Sequence, residues 1–173
     1  MEIKDTIEFI KRAHVNQFDK SGEPYWKHPV AVMHNLPEDS SENLKHAALL
    51  HDVLEDTTHT PRSLKNLGYN DKIIKIVEAV TRPERRPPSG LSYLQWIQKI
   101  ANSGHYEAIV LKMADIRHNT DPERRSKLPK EQREIYEEMF WKRYMPALEQ
   151  LRIGLHLLKE KENQKYVKRS KLL

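Results

Sequence analysis

Apolar residues recur along this chain at the three-to-four-residue interval of an α-helix, and almost nowhere at the two-residue interval of a strand. Ile3, Ile7, Ile10 and His14 mark one face of a first helix, and Ser21-Gly22-Glu23-Pro24 reads as a turn. A short helix follows over about 28–35 and ends before Pro37. Ser40 or Ser41 caps the next, which the pattern carries to about Leu54. Thr60-Pro61 opens another helix that Gly68 closes, and Asn70 caps one over about 71–80. Residues 82–90, rich in proline and arginine, read as a loop. Helices over about 91–102 and 105–119 flank Ser103-Gly104, and Pro129 opens a long helical region reaching about Glu160. Pro146 should kink or split that region. With no repeat and no linker, residues 1–173 read as a single compact all-α domain with a long C-terminal helical region (about 129–160) and a basic tail (161–173).

Composition narrows the function classes. Apolar residues make up 38% and charged ones 32%, and the apolar ones are periodic, so a packed core is expected. There is no cysteine, which excludes disulfides, thiolate metal sites and cysteine nucleophiles and fits a reducing compartment. No run of some 18 apolar residues occurs, and Met1–Ile10 is too charged for a signal peptide, so a soluble cytoplasmic protein with no membrane partner is expected. A formal charge of +5 and a pI near 9.3 point to anionic partners. Part of that excess, Lys159 to Lys171, reads as a solvated helix end rather than a nucleic-acid arm, so a nucleic-acid partner is disfavoured. An oligomer is compatible with the pattern.

The chemistry concentrates in three places. In Ala47–Asp56, His51 and Asp52 lie at the edge of an apolar helical stripe, with Glu55 and Asp56 one turn on; at about 100° per residue the four span an arc of roughly 140°. Ionisable groups on such an arc are costly unless they pair or bind a cation, and an imidazole beside a carboxylate suits Mn²⁺, Fe²⁺ or Zn²⁺. Asp115 ends the nearly apolar run 109–115, with Lys112 one turn before it and Asn119 one turn after. His28 stands just ahead of a helix start, within reach of a neighbouring helix.

The segments Gly22 to Val30, His51 to Thr57, Ala79 to Thr81, and Lys112 to Asp115 with Asn119 together resemble the hydrolase domain of the RelA/SpoT family, within the HD phosphohydrolase superfamily. The resemblance covers about residues 17–119 and, with no synthetase domain following, is to a small hydrolase-only member. It implies one divalent ion, Mn²⁺, held by His28, His51, Asp52 and Asp115, since the extra histidines of dinuclear members are replaced by Glu55-Asp56. It implies that Glu55 and Asp56 position or activate the attacking water, Glu55 foremost, and that Asn119 helps hold a nucleotide. Lys20, Lys112, Arg85 and Arg86 are candidate substrate contacts, the last two because arginine suits phosphate. Two departures stand out. Asp19 occupies the position from which many members pack an arginine on guanine, which implies weaker base selectivity. Arg117 is displaced by one residue from the family's arginine. The activity implied is release of the 3′-pyrophosphate of (p)ppGpp. Another nucleotide, such as a dNTP or nucleoside monophosphate, is the alternative substrate. A nucleotide-sensing or nucleic-acid-binding module with a degenerate site is the alternative from outside the enzymes.

Overall fold

A computed structural model describes residues 1–82 and 92–170, with side chains described through 165. The expected contacts Arg85 and Arg86 lie outside the described residues. Helices follow one another as α1 (Ile3–Ala13), α2 (Lys27–His34), α3 (Glu42–Leu50), α4 (Val53–Asp56), α5 (Pro61–Asn66), α6 (Asp71–Val80), α7 (Tyr93–Asn102), α8 (Tyr106–Asn119), α9 (Pro122–Ser126), α10 (Lys130–Met139) and α11 (Met145–Ser170). A π-helical turn, Phe140–Tyr144, joins α10 to α11. Among the described residues there is no strand, only an isolated antiparallel bridge from Phe18 to Pro24.

The helix starts follow from side chains that satisfy free amides. The Ser41 hydroxyl accepts from the Leu44 amide at 3.2 Å, and Asn70 Oδ1 from that of Ile73 at 3.0 Å. Thr60 and Ser63 form a reciprocal capping box with Pro61 at the first helical position. Gly68 and Gly104 take φ of +97° and +71°, so the chain reverses after α5 and between α7 and α8 where a side chain would be strained.

The centre is α8. It is buried on every side from Ala108 to Ile116, with α2, α3, α6, α7 and α11 packed around it. Leu49, Leu50, Ile97, Ile109, Leu111 and Leu151 are fully buried there, each contributing about 1.5–3 kcal/mol. Because α8 has no solvent face, the two charged residues within its buried run, Lys112 and Asp115, must find partners inside the protein.

Three expectations are corrected. The helix expected to run to Leu54 ends at Leu50, and a turn at His51-Asp52 separates it from α4. The His51 ring bonds the Ala48 carbonyl at 2.8 Å, competing for the acceptor that the Asp52 amide would use in a continuing helix. Pro146 does not split the C-terminal region; the π-turn precedes it and the chain stays helical, to Ser170 rather than Glu160. The short helix α9 was not anticipated, although Asp121-Pro122 carries a cap-and-proline start signal, and the Asp121 carboxylate does accept from the Glu123 amide at 2.8 Å.

Candidate metal centre

Two histidines are set with Nδ1 fixed and Nε2 turned inward. The Nδ1–H of His51 donates to the Ala48 carbonyl, which turns Nε2 inward. That Nε2 is buried and has no hydrogen-bond partner, although Asp52 Oδ2 lies 3.0 Å away and Asp115 Oδ1 3.8 Å away. His28, the second residue of α2, places its Nε2 3.4 Å from Asp52 Oδ2 and 3.3 Å from Asp115 Oδ1. Its Nδ1 lies 2.7 Å from His118 Nδ1, which Arg124 Nη1 also approaches at 3.4 Å. A ring nitrogen facing an arginine acts as acceptor, so His28 Nδ1 donates to His118 and its Nε2 is turned toward the two carboxylates. Burial, with His28 and Arg124 beside it, depresses the His118 pKa to about 4 and keeps that ring neutral.

The carboxylates are held from outside the cluster. Asp115 accepts from Lys112 Nζ at 2.7 Å and from Asn119 Nδ2 at 2.6 Å, and Asp52 from the Tyr25 hydroxyl at 2.6 Å. Ligand atoms of His28, His51 and Asp115 lie within 4.8 Å of one another, and Asp52 sits against both histidines. Burial works against ionised Asp52, but the His51 and His28 rings outweigh it and hold its pKa well below the usual range. Burial likewise works against a charged His51, yet Asp52 and Asp115 raise its pKa to about 9. Two imidazole Nε2 atoms converging on two ionised carboxylates draw in a positive charge, which the His51 proton supplies until an ion displaces it. The donor set fits a divalent ion.

Glu55 and Asp56 stand beside this cluster on α4. Glu55 Oε1 accepts from the Arg82 amide at 2.7 Å, and burial raises its pKa above the ordinary glutamate value. Asp56 is exposed, and its Oδ2 lies 3.2 Å from the Tyr25 hydroxyl. Burial and Asp52 push the Tyr25 pKa far upward, so the phenol stays a donor bridging the two aspartates.

A cavity of about 390 Å³ opens over the cluster. Lys20 sits on its exposed rim, while Lys112 is buried in its wall, paired with Asp115 and 4.4 Å over the Trp96 ring. Asn119, expected to hold a nucleotide, orients Asp115 and accepts from Arg124 Nη1 at 3.0 Å. Asp19 does not leave the wall without a guanidinium. Its Oδ2 holds Arg124, which lines the cavity, at 3.1–3.2 Å. Sequence reading passed over Tyr25 as a metal-side group, His118, Arg124 and Arg143. Their partners are distant in sequence, and only Arg124, on a helix with a readable start signal, offered a local cue.

A model of the HD domain family matches residues 6–140. The guanosine-3′,5′-bis(diphosphate) 3′-pyrophosphohydrolase of Aquifex aeolicus is 34% identical over 145 residues, 78% of this chain and 20% of that protein. The bifunctional (p)ppGpp synthase/hydrolase SpoT of Escherichia coli is 31% identical over 137 residues, 72% of this chain and 19% of that protein. The chain thus spans about a fifth of the length of these curated relatives. A solved structure of a metazoan SpoT ortholog that hydrolyses ppGpp superposes with a TM-score of 0.67 at 20% identity, over 92% of this chain and 94% of that one. That likeness is one of fold. Among the described residues, no helix is long and apolar enough to cross a membrane.

Proposed function

From a chain that belongs to the HD domain family, we propose a metal-dependent phosphohydrolase that releases pyrophosphate from the 3′ position of guanosine 3′,5′-bis(diphosphate). The observation that carries this reading is the pair of Nε2 atoms of His28 and His51 converging on Asp52 and Asp115 at the floor of a cavity walled by cations. Those four residues would hold one ion, with Mn²⁺ proposed for the mixed nitrogen and carboxylate set. When bound, such an ion supplies Lewis acidity and lowers the pKa of water.

The chain's own groups do the rest. Glu55, fixed by the Arg82 amide and made more basic by burial, takes a proton from the attacking water. Asp56 and Tyr25 hold the water's surroundings and Asp52 in register. As the new oxygen–phosphorus bond forms, the bond to the 3′ oxygen breaks, yielding pyrophosphate and a 3′-hydroxyl. Lys20 and Arg124 face the anionic substrate from the rim and wall. The substrate assignment draws on the activities of the relatives, and the basic balance of the chain agrees with it.

The test is pyrophosphate release from guanosine 3′,5′-bis(diphosphate) with Mn²⁺, in wild type, Asp52→Ala and Glu55→Gln. Asp52→Ala should lose both metal and turnover. Glu55→Gln should keep the metal and lose about 10²–10⁴ in rate. Full metal occupancy in Asp52→Ala sinks the ligand set. Rapid cleavage of another nucleotide with none of this one keeps the hydrolase and discards the substrate.

A further inference from the structure

We infer that Arg143 binds the phosphate group of the substrate that lies away from the metal, so the cavity is built for a nucleotide carrying phosphates at two separate positions; this rests on the reading above.

Pro146 closely follows the turn that carries Arg143. A proline inside an α-helix has no amide hydrogen, and its ring strikes the carbonyl four residues earlier, here that of Lys142. The chain widens ahead of it into the π-turn Phe140–Tyr144, in which the Met145 amide bonds the Phe140 carbonyl. Arg143 and Tyr144, neighbours in this turn, both line the cavity. Single π-turns inside helices recur at functional sites because they aim side chains that a regular helix would turn away.

The Arg143 guanidinium is held by rings rather than by a carboxylate. Its Cζ lies 3.9 Å over the Tyr93 ring and 5.7 Å from that of Tyr144. Its Nε is buried without a hydrogen-bond partner, and among the described residues it makes no ion pair. Lys112 and Arg124, on the same cavity, are each neutralised by an aspartate. A buried donor left open costs roughly 1–3 kcal/mol, more when charged, and a guanidinium resting on an aromatic face still offers its edge to a phosphate.

Its place in the cavity selects the ligand. A row of contacts leads from Asp115 to Lys112 (2.7 Å), to Trp96 (4.4 Å), to Tyr93 (5.6 Å) and to Arg143 (3.9 Å). Among the described residues, Arg143 contacts none of His28, His51, Asp52 and Asp115, and along this row Trp96 and Tyr93 come between it and the Lys112–Asp115 pair. With the reacting phosphoryl group at the ligands, Arg143 meets a second anion, which in a 3′,5′-bis(diphosphate) is the 5′-diphosphate.

The experiment measures binding of GDP and of guanosine to the full chain with Mn²⁺ by calorimetry, in wild type, Arg143→Gln and Arg143→Lys, with melting curves as a check on folding. GDP carries only the 5′-diphosphate and would be the nucleoside product of the proposed reaction. Arg143→Gln should weaken GDP by about 10–100-fold, leave guanosine unchanged, and raise KM for the bis(diphosphate) with kcat within about threefold. Arg143→Lys, which keeps charge but loses the planar fork, should fall between, and it carries the test if Arg143→Gln fails to fold. Equal GDP affinity in wild type and the variants, equal loss for guanosine, or no GDP binding to wild type overturns the inference. Arg143-dependent GDP binding without hydrolysis would overturn the proposed activity while leaving this site standing.

Discussion

Asp19 divides its two carboxylate oxygens between local and distant partners. Oδ1 accepts from the Ser21 amide and hydroxyl and from the Glu23 amide at 2.7–3.0 Å, while Oδ2 takes the Arg124 guanidinium. Burial works against the charge, but these donors outweigh it and hold the pKa below the ordinary aspartate value. A depressed folded-state pKa adds stability above the unfolded value and loses it as pH falls through the folded one. At pH 7, Asp19→Asn should therefore cost about 1–2 kcal/mol, a drop of roughly 2–8 °C in melting temperature. The gap to wild type should begin to close as pH falls below the unfolded aspartate value of about 4, and close fully only below the lower folded-state pKa. Melting curves from pH 7 to 3 check this, and a gap that stays constant would rule out the carboxylate as its origin. The same residue marks the limit of sequence reading. The family resemblance marks Asp19 as a missing arginine, but not that an arginine from α9 arrives to meet it. The contacts from His28 to His118 and from Tyr25 to Asp52 were hidden for the same reason, because local periodicity carries nothing about which distant side chains converge.

Helix starts were legible at Ser41, Thr60 and Asn70, where a side chain caps its own helix through a bond spanning three residues. The break at His51-Asp52 was not, because it depends on a ring competing with the backbone for one carbonyl. Nor was the tightest joint of the fold. Where α11 crosses α7, Gly154 lies so close that a Cβ there would meet the Ala101 carbonyl oxygen at 2.4 Å and the Ala101 Cα at 2.9 Å. Backbone cannot step aside as a flexible side chain can. Alanine improves helix propensity by about 1 kcal/mol, but overpacking against main chain costs about 1–3 kcal/mol or more. Gly154→Ala should thus lower the melting temperature by several degrees, with about 2 kcal/mol net loss in chemical denaturation. A rise in stability would mean that the two helices part easily.

At the scale of the molecule, helices from four stretches of chain converge on one charge cluster, so ion binding and folding are coupled. An ion that binds only the folded state at 100 times its Kd adds about 2.7 kcal/mol, which for a chain of this size raises the melting temperature by roughly 5–10 °C. Chelation should remove that increment and Mn²⁺ restore it, whereas Asp115→Asn should melt alike with and without the ion. If wild type melts alike with chelator and with Mn²⁺, the four residues do not form a metal site.

The packing of α11 also orders events during synthesis. His28, His51, Asp52 and Asp115 have all left the ribosome well before Ala147, Leu148 and Leu151, the buried residues by which α11 covers α7 and α8. At about 5–20 residues per second, that interval is on the order of seconds. Through it the nascent chain carries every ligand while α8 is still uncovered on one side. α11 packs on the helix that carries Asp115, and the Arg143 guanidinium arrives just ahead of it. The site therefore closes late and as a unit, and a chain halted at Asn119 would carry the complete motif without the packing that makes it a site.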